Sequence, residues 1–167
     1  MATGMVTTFE ASLDRLDVGW THTTAEDLDT VLEEVATEPA VGTSLPFDVT
    51  LPDWVNTAPT PRDIDEATTG ITAAGLGIAS YGSVVLPSTP DGTEPVSLFP
   101  DLHVAILRTD DVVAGMPEAF EYVAEEFRTG DHSSAIIATG PSATADMGEL
   151  VKGAHGPKDV HVVMLDE

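Results

Sequence analysis

Two unbroken apolar runs of strand length, His103 to Leu107 and His161 to Leu165, limit what this chain can fold into more than any other feature. A strand without polar alternation is buried on both faces, so its sheet needs a covering layer on each side. Ser83 to Leu86 and Ser134 to Ala138 read as further strands. Met116, Phe120, Val123 and Phe127 form one stripe of a helix from Met116 to about Arg128. Leu28, Val31, Leu32 and Val35 define another from Thr24 to about Ala36, with Thr23 and Glu26 as its capping box. Pro46, Pro52, Pro59 and Pro61 mark an irregular covering stretch between them and the strands. The order of elements predicts an α/β fold: a layered, mostly parallel sheet flanked by helices. A length of 167 residues suits a single domain spanning 1–167 with one core.

Charge decides which partners such a domain can have. Six Lys and Arg stand against 29 Asp and Glu, a formal charge of −23. Phosphate binding needs clustered cations, so nucleic acid is excluded as an expected partner. The acids are spread along the chain, as in Asp27, Asp29, Glu33 and Glu34 and again in Glu118, Glu121, Glu125 and Glu126. Self-repulsion on this scale opposes compaction unless salt screens it. At about 1 M salt the Debye length falls to roughly 3 Å. A salt-rich cytoplasm is the expected setting. No apolar run approaches the roughly 20 residues of a membrane span, and Met1 to Glu10 lacks the charge and apolar pattern of a signal peptide.

Chemistry is best sought where a buried strand runs into a loop. Ser134 to Ala138 leads into Thr139, Gly140, Pro141, Ser142, Ala143, Thr144, Ala145, Asp146 and Met147, with a short helix expected next. Backbone N–H groups at that helix start, with the hydroxyls of Ser142 and Thr144, could hold a carboxylate or phosphate. Because caps are far commoner than ligand loops, the spacing alone favours Ser142 or Thr144 capping the helix while Asp146 complements its positive end. Downstream, Lys152, Gly153, Ala154, His155, Gly156, Pro157 and Lys158 place two of the six cations beside a histidine. They could balance an anionic ligand, or Lys152 could end the helix and His155–Pro157 form a plain turn.

Other signals are negative. The five histidines show no metal-ligand spacing, and His103, which starts a buried strand, reads as a core or edge residue. There is no phosphate-binding P-loop and no G-x-S-x-G elbow. With no cysteine, the chain has no disulfide, no thiolate nucleophile and no thiolate ligand for an iron–sulfur cluster.

The run from Thr139 to Asp146, followed by Gly153 to Pro157 and an apolar end, resembles the lactate-utilization protein C family (LutC/YkgG, the LUD domain). Gly70 to Ala74, Tyr81 to Leu86 and Val96 to Pro100 leading into His103 extend the resemblance over about residues 66–166. It implies a fold similar to the NagB/RpiA/CoA-transferase group. It also implies a role as an accessory or substrate-binding subunit in oxidising L-lactate to pyruvate. The implied partners are iron–sulfur oxidoreductase subunits that carry the clusters, with no cofactor in this chain. Gly140, Ser142, Thr144, Asp146, His155 and Gly156 match the family's signature. With Lys152 they form the expected site for a small carboxylate, and none is assigned as catalytic. The chain departs from the family where an acid is common, at Gly75 and at Ser80. A stand-alone enzyme of the same fold group acting on a small anionic substrate, or a non-catalytic scaffold, are the other readings.

The charge pattern makes its own prediction. The melting temperature should rise by many degrees between millimolar and molar potassium chloride, followed by circular dichroism. A salt-independent melting temperature would refute the salt-adapted reading.

Overall fold

The computed structural model describes residues 2–130, 132–144, 151–152 and 155–167, with only the backbone described at Ala2, Thr144, Val151 and Lys152. Met5, Val6, Phe9 and Leu13 recur at helical spacing, and a helix the sequence reading did not anticipate, α1 (Ala2–Arg15), forms on them. Phe9 and Leu13 are fully buried. β1 (Gly19–Thr23) follows. The next helix, α2, spans Leu28–Val35 and so begins later than the expected Thr24. Residues 24–27 instead close a turn, in which Asp27 N–H donates to the Thr24 carbonyl at 3.2 Å. Thr24 Oγ1 donates to Asp27 at 3.3 Å, and Asp27 is the N-cap in place of the Thr23–Glu26 box.

The proline-rich stretch is largely irregular but carries two short strands and a helix: β2 (Ala40–Gly42), β3 (Val55–Asn56) and α3 (Pro61–Glu66). Thr60 and Asp63 form a capping box at the start of α3. β4 (Thr69–Ala73), β5 (Leu76–Ile78), β6 (Ser83–Pro87), α4 (Thr93–Leu98) and β7 (Leu102–Arg108) come next. The rest of the fold is β8 (Val112–Val113), α5 (Met116–Thr129), β9 (Ala135–Thr139), β10 (Ala143–Thr144), β11 (Val151–Lys152) and β12 (Asp159–Leu165).

A six-stranded sheet in the order β1-β12-β7-β4-β2-β3 is parallel at every pairing. Its two faces are both covered, as the apolar runs required. Val104 and Ile106 pack with Leu28 and Leu32 of α2 on one face. Ala105 and Leu107 pack with Phe9 and Leu13 of α1 on the other, together with Val84 and Leu86 of β6. The strands read at 83–86 and 134–138 do not join this sheet. They belong to a second one, β8-β5-β6-β9, in which β6 runs antiparallel to both β5 and β9.

Helix α5 closes the far side of the second sheet, but with only half of the expected stripe, Met116 and Val123. Ala119 is fully buried against Leu76, Ile78 and Val85, flanked by Met116, Tyr122 and Val123. Phe120 and Phe127 are 59% and 45% exposed. The small Ala119 side chain is the buried centre of this face, while Phe120 and Phe127 point outward.

His103 lies fully buried in this core, its Nε2 2.8 Å from Thr72 Oγ1. Burial pushes its imidazole down to about 4. An unfolded histidine titrates near 6.5, so between those values only the unfolded chain takes up the proton. Stability should therefore fall as pH drops from about 6.5 to about 4, by on the order of 3 kcal/mol. Denaturant unfolding at pH 7 and 4.5 should show a smaller loss for His103→Gln than for the natural chain.

Two glycines give a second test. A Cβ at Gly70 would run into the Val96 carbonyl oxygen, so α4 can lie on β4 only because residue 70 has no side chain. Gly70→Ala should cost about 1–3 kcal/mol through overpacking. Gly4, on α1, has open space around it, and Gly4→Ala should stabilise by about 0.5–1 kcal/mol. Thermal melts of the two variants should move in opposite directions.

Candidate functional site

β9 ends at Thr139, and the chain turns at Gly140, whose φ of 67° is in the left-handed region glycine adopts freely. Ser142 N–H then donates to the Pro157 carbonyl at 2.8 Å, tying this loop to the segment before β12. The approach is close enough that a Cβ at Gly156 would stand 3.1 Å from Ser142 Cβ. Gly140, Ser142, His155 and Gly156 are thereby gathered on one cavity of about 330 Å³, with His103 and Val160 also in its wall. Four of the seven predicted site residues thus share one recess.

The rest of the prediction fares differently. Thr144 and Lys152 lie on a two-stranded antiparallel ribbon, with Thr144 opposite Val151 and Ala143 opposite Lys152. Asp146 and the expected short helix fall on 145–150, outside the described residues. Ser142 N–H, expected to be open to a ligand, is already matched by Pro157, and Thr139 Oγ1 lies 2.6 Å from Ser83 Oγ. Lys158 pairs with Asp101 at 3.3 Å. Among the described residues, the Ser142 hydroxyl and the exposed His155 ring remain as side-chain donors available to the recess. The location is also unexpected. His103 and Val160 sit at the amino ends of β7 and β12, whereas β9 ends in the antiparallel sheet.

The carboxyl ends of the parallel strands open on another cavity, of about 340 Å³. Thr43 follows β2, Ala74 and Gly75 follow β4, and Arg108 ends β7; Tyr122 and Glu126 of α5 and His132 face them. His132 Nδ1 donates to the Ser88 carbonyl at 2.7 Å, and its Nε2 is 3.2 Å from Glu126 Oε2, an ion pair when the ring is protonated. Arg108 Nη2 is 2.7 Å from Glu167, while its Nε lies 3.8 Å from Asp111, buried and without a hydrogen-bond partner. Burial pushes the Tyr122 phenol up to about 12, with the Glu126 and Asp111 carboxylates adding to the effect. It is a neutral O–H donor across the physiological range.

The two positions where the resemblance implies an acid separate here. A Cβ at Gly75 would run into the Tyr122 hydroxyl, so this chain puts a phenol where a side chain at 75 would enter the cavity. Ser80 lies exposed in the turn between β5 and β6 and lines neither cavity. Sequence reasoning did not single out Arg108 or Tyr122. The usable signals were a rare cation ending an apolar strand and the small-residue step Ala73-Ala74-Gly75 after another.

Comparison with known proteins agrees with the fold and the motifs. The family model of the LUD domain matches residues 56–165. A lactate utilization protein C of Deinococcus radiodurans is 33% identical over 106 residues, which are 62% of this chain and 49% of that protein. One from Bacillus licheniformis is 35% identical over 106 residues, 61% of this chain and 44% of the relative. The chain therefore spans about half the length of these curated relatives. A crystal structure of a DUF162 family protein from Deinococcus radiodurans superposes with a TM-score of 0.72 at 20% identity, covering 99% of this chain and 98% of that one. With the family model covering well over half of its residues, the chain belongs to the LUD domain family.

Proposed function

We propose that this chain serves in L-lactate utilization, as an accessory or substrate-binding subunit of a system that oxidises lactate to pyruvate. The reading rests on membership of the LUD domain family together with the relatives named lactate utilization protein C. Oxidation of lactate to pyruvate releases two electrons and two protons. The chain has no cysteine, so thiolate-held iron–sulfur clusters that accept the electrons would belong to partner proteins. Its own task would be to hold the substrate.

The small carboxylate would sit in the recess lined by Gly140, Ser142, His155 and Gly156, with Thr144, Asp146 and Lys152 on the same stretch of sequence. Ser142 Oγ and the His155 ring would donate to it, and the close contact between Ser142 and Gly156 would hold the two donors in place. A cytoplasmic, salt-rich setting completes the reading.

Titration with L-lactate in molar potassium chloride, followed by amide NMR, tests it. Saturable shifts are expected at Gly140, Ser142, His155 and Gly156. Ser142→Ala should lower lactate oxidation by the reconstituted system about tenfold without changing the melting temperature, the loss of one hydrogen bond to a charged group. No shift at any of the four positions would sink the site, and full activity of Ser142→Ala would show that the loop serves only structure.

A further inference from the structure

The cavity at the carboxyl ends of β2, β4 and β7 is separate from the Gly140–Gly156 recess, and the lactate reading makes no use of it. We propose that it is a second small-molecule site, taking a small monocarboxylate whose carboxylate lies on Arg108 and whose polar tail meets Tyr122. The inference does not rest on the loop reading and can stand or fall without it.

Position is the first support. In sheets of parallel strands, ligands sit in the crevice beyond the carboxyl ends, and Thr43, Ala74 and Arg108 lie on that edge. The volume of about 340 Å³ is near the lower end of small-molecule pockets, which run from about 300 to 1,000 Å³. That selects a ligand of few heavy atoms.

Arg108 supplies the chemical class. Side-on pairing of a guanidinium with a carboxylate uses Nε and one terminal nitrogen as a fork. In this structure Nε is buried without a hydrogen-bond partner, 3.8 Å from the Asp111 carboxylate, and Nη2 is held by Glu167, a side chain 63% exposed. An exposed pair of that kind contributes little to stability. A ligand carboxylate could replace Glu167 on Nη2 and give Nε the acceptor it lacks. The exchange improves the hydrogen bonding of the cation at small cost.

The opposite wall sets the charge and the tail. Glu126 faces the cavity beside His132, so a dianion such as phosphate would meet repulsion that a monocarboxylate with its charge at Arg108 avoids. Tyr122 presents a neutral O–H over Gly75, where no side chain competes for the space. A hydroxyl or keto oxygen next to the carboxylate would find its partner there.

The test replaces potassium chloride stepwise by potassium L-lactate, acetate or phosphate at constant ionic strength, so that general salt effects cancel. Saturable lactate and acetate shifts are expected at Gly75 N–H, Arg108 Nε–H and the Tyr122 ring, with little from phosphate. Arg108→Gln should weaken binding, read at Gly75 N–H and the Tyr122 ring, at least tenfold, and Tyr122→Phe should weaken lactate there more than acetate. Should Arg108→Gln fail to fold, the Tyr122→Phe comparison of lactate with acetate decides alone. Lactate shifts confined to Gly140–Gly156 overturn this site and leave the loop reading standing; shifts confined to the cavity do the reverse. Absence of saturable shifts, phosphate binding as tight as acetate, or affinities unmoved by either cavity variant also overturn it.

Discussion

The pairing of β7 with β12 carries the structure. Its ladder runs from Leu102 opposite Asp159 to Arg108 opposite Leu165, and side chains leave it alternately for the two covering layers. Each buried Val, Leu or Ile on these strands contributes roughly 1.5–3 kcal/mol, and a slip of one residue would exchange the faces. Register is therefore fixed, and with it the contents of both edges. His103 beside Val160 is delivered to the recess at the amino edge, and Arg108 to the cavity at the carboxyl edge. The two candidate sites are opposite ends of one ladder.

Against that apolar interior, the acidity is a property of the outside alone. The buried polar side chains among the described residues are serines, threonines and His103; none is a carboxylate. Among the described residues the carboxylates that dominate the formal charge of −23 thus all meet solvent at least in part. It governs what the surface needs from its surroundings, not how the chain folds. The few cations are set where local geometry uses them, as at Arg108 between Asp111 and Glu167 or Lys158 beside Asp101.

Much of this was legible in the sequence. Unbroken apolar runs identified the central strands because burial on both faces removes polar alternation, and the small-residue motifs identified the family. What escaped has physical reasons. α1 was passed over because its polar positions are mostly Thr and Ser rather than strongly charged, which blurs the amphipathic pattern. The inner face of α5 is only half legible: Met116 and Val123 face the sheet as their spacing predicts, but the packing centre is the small Ala119 and the bulky Phe120 and Phe127 lie outside. The short strands β2 and β3 leave too few residues for any periodicity. For the site, local spacing brought Gly140, Ser142, His155 and Gly156 into view, since their turn chemistry is written in neighbouring residues. Arg108, Tyr122 and His132 meet only through the stacking of two sheets and a helix, which no local pattern records.

The place of β12 in the sheet has a consequence for how the protein comes into being. It is the last of the described strands along the chain, yet it lies between β1 and β7. While a ribosome is still adding residues 159–165, β1 lacks its neighbour and β7 offers an open, apolar edge to any other chain nearby. Long-range parallel pairing is slow to form and leaves such edges exposed meanwhile. The nascent chain is thus most vulnerable to sticking until residues 159–165 have emerged, and that interval, rather than the finished fold, is where a chaperone would do most for it.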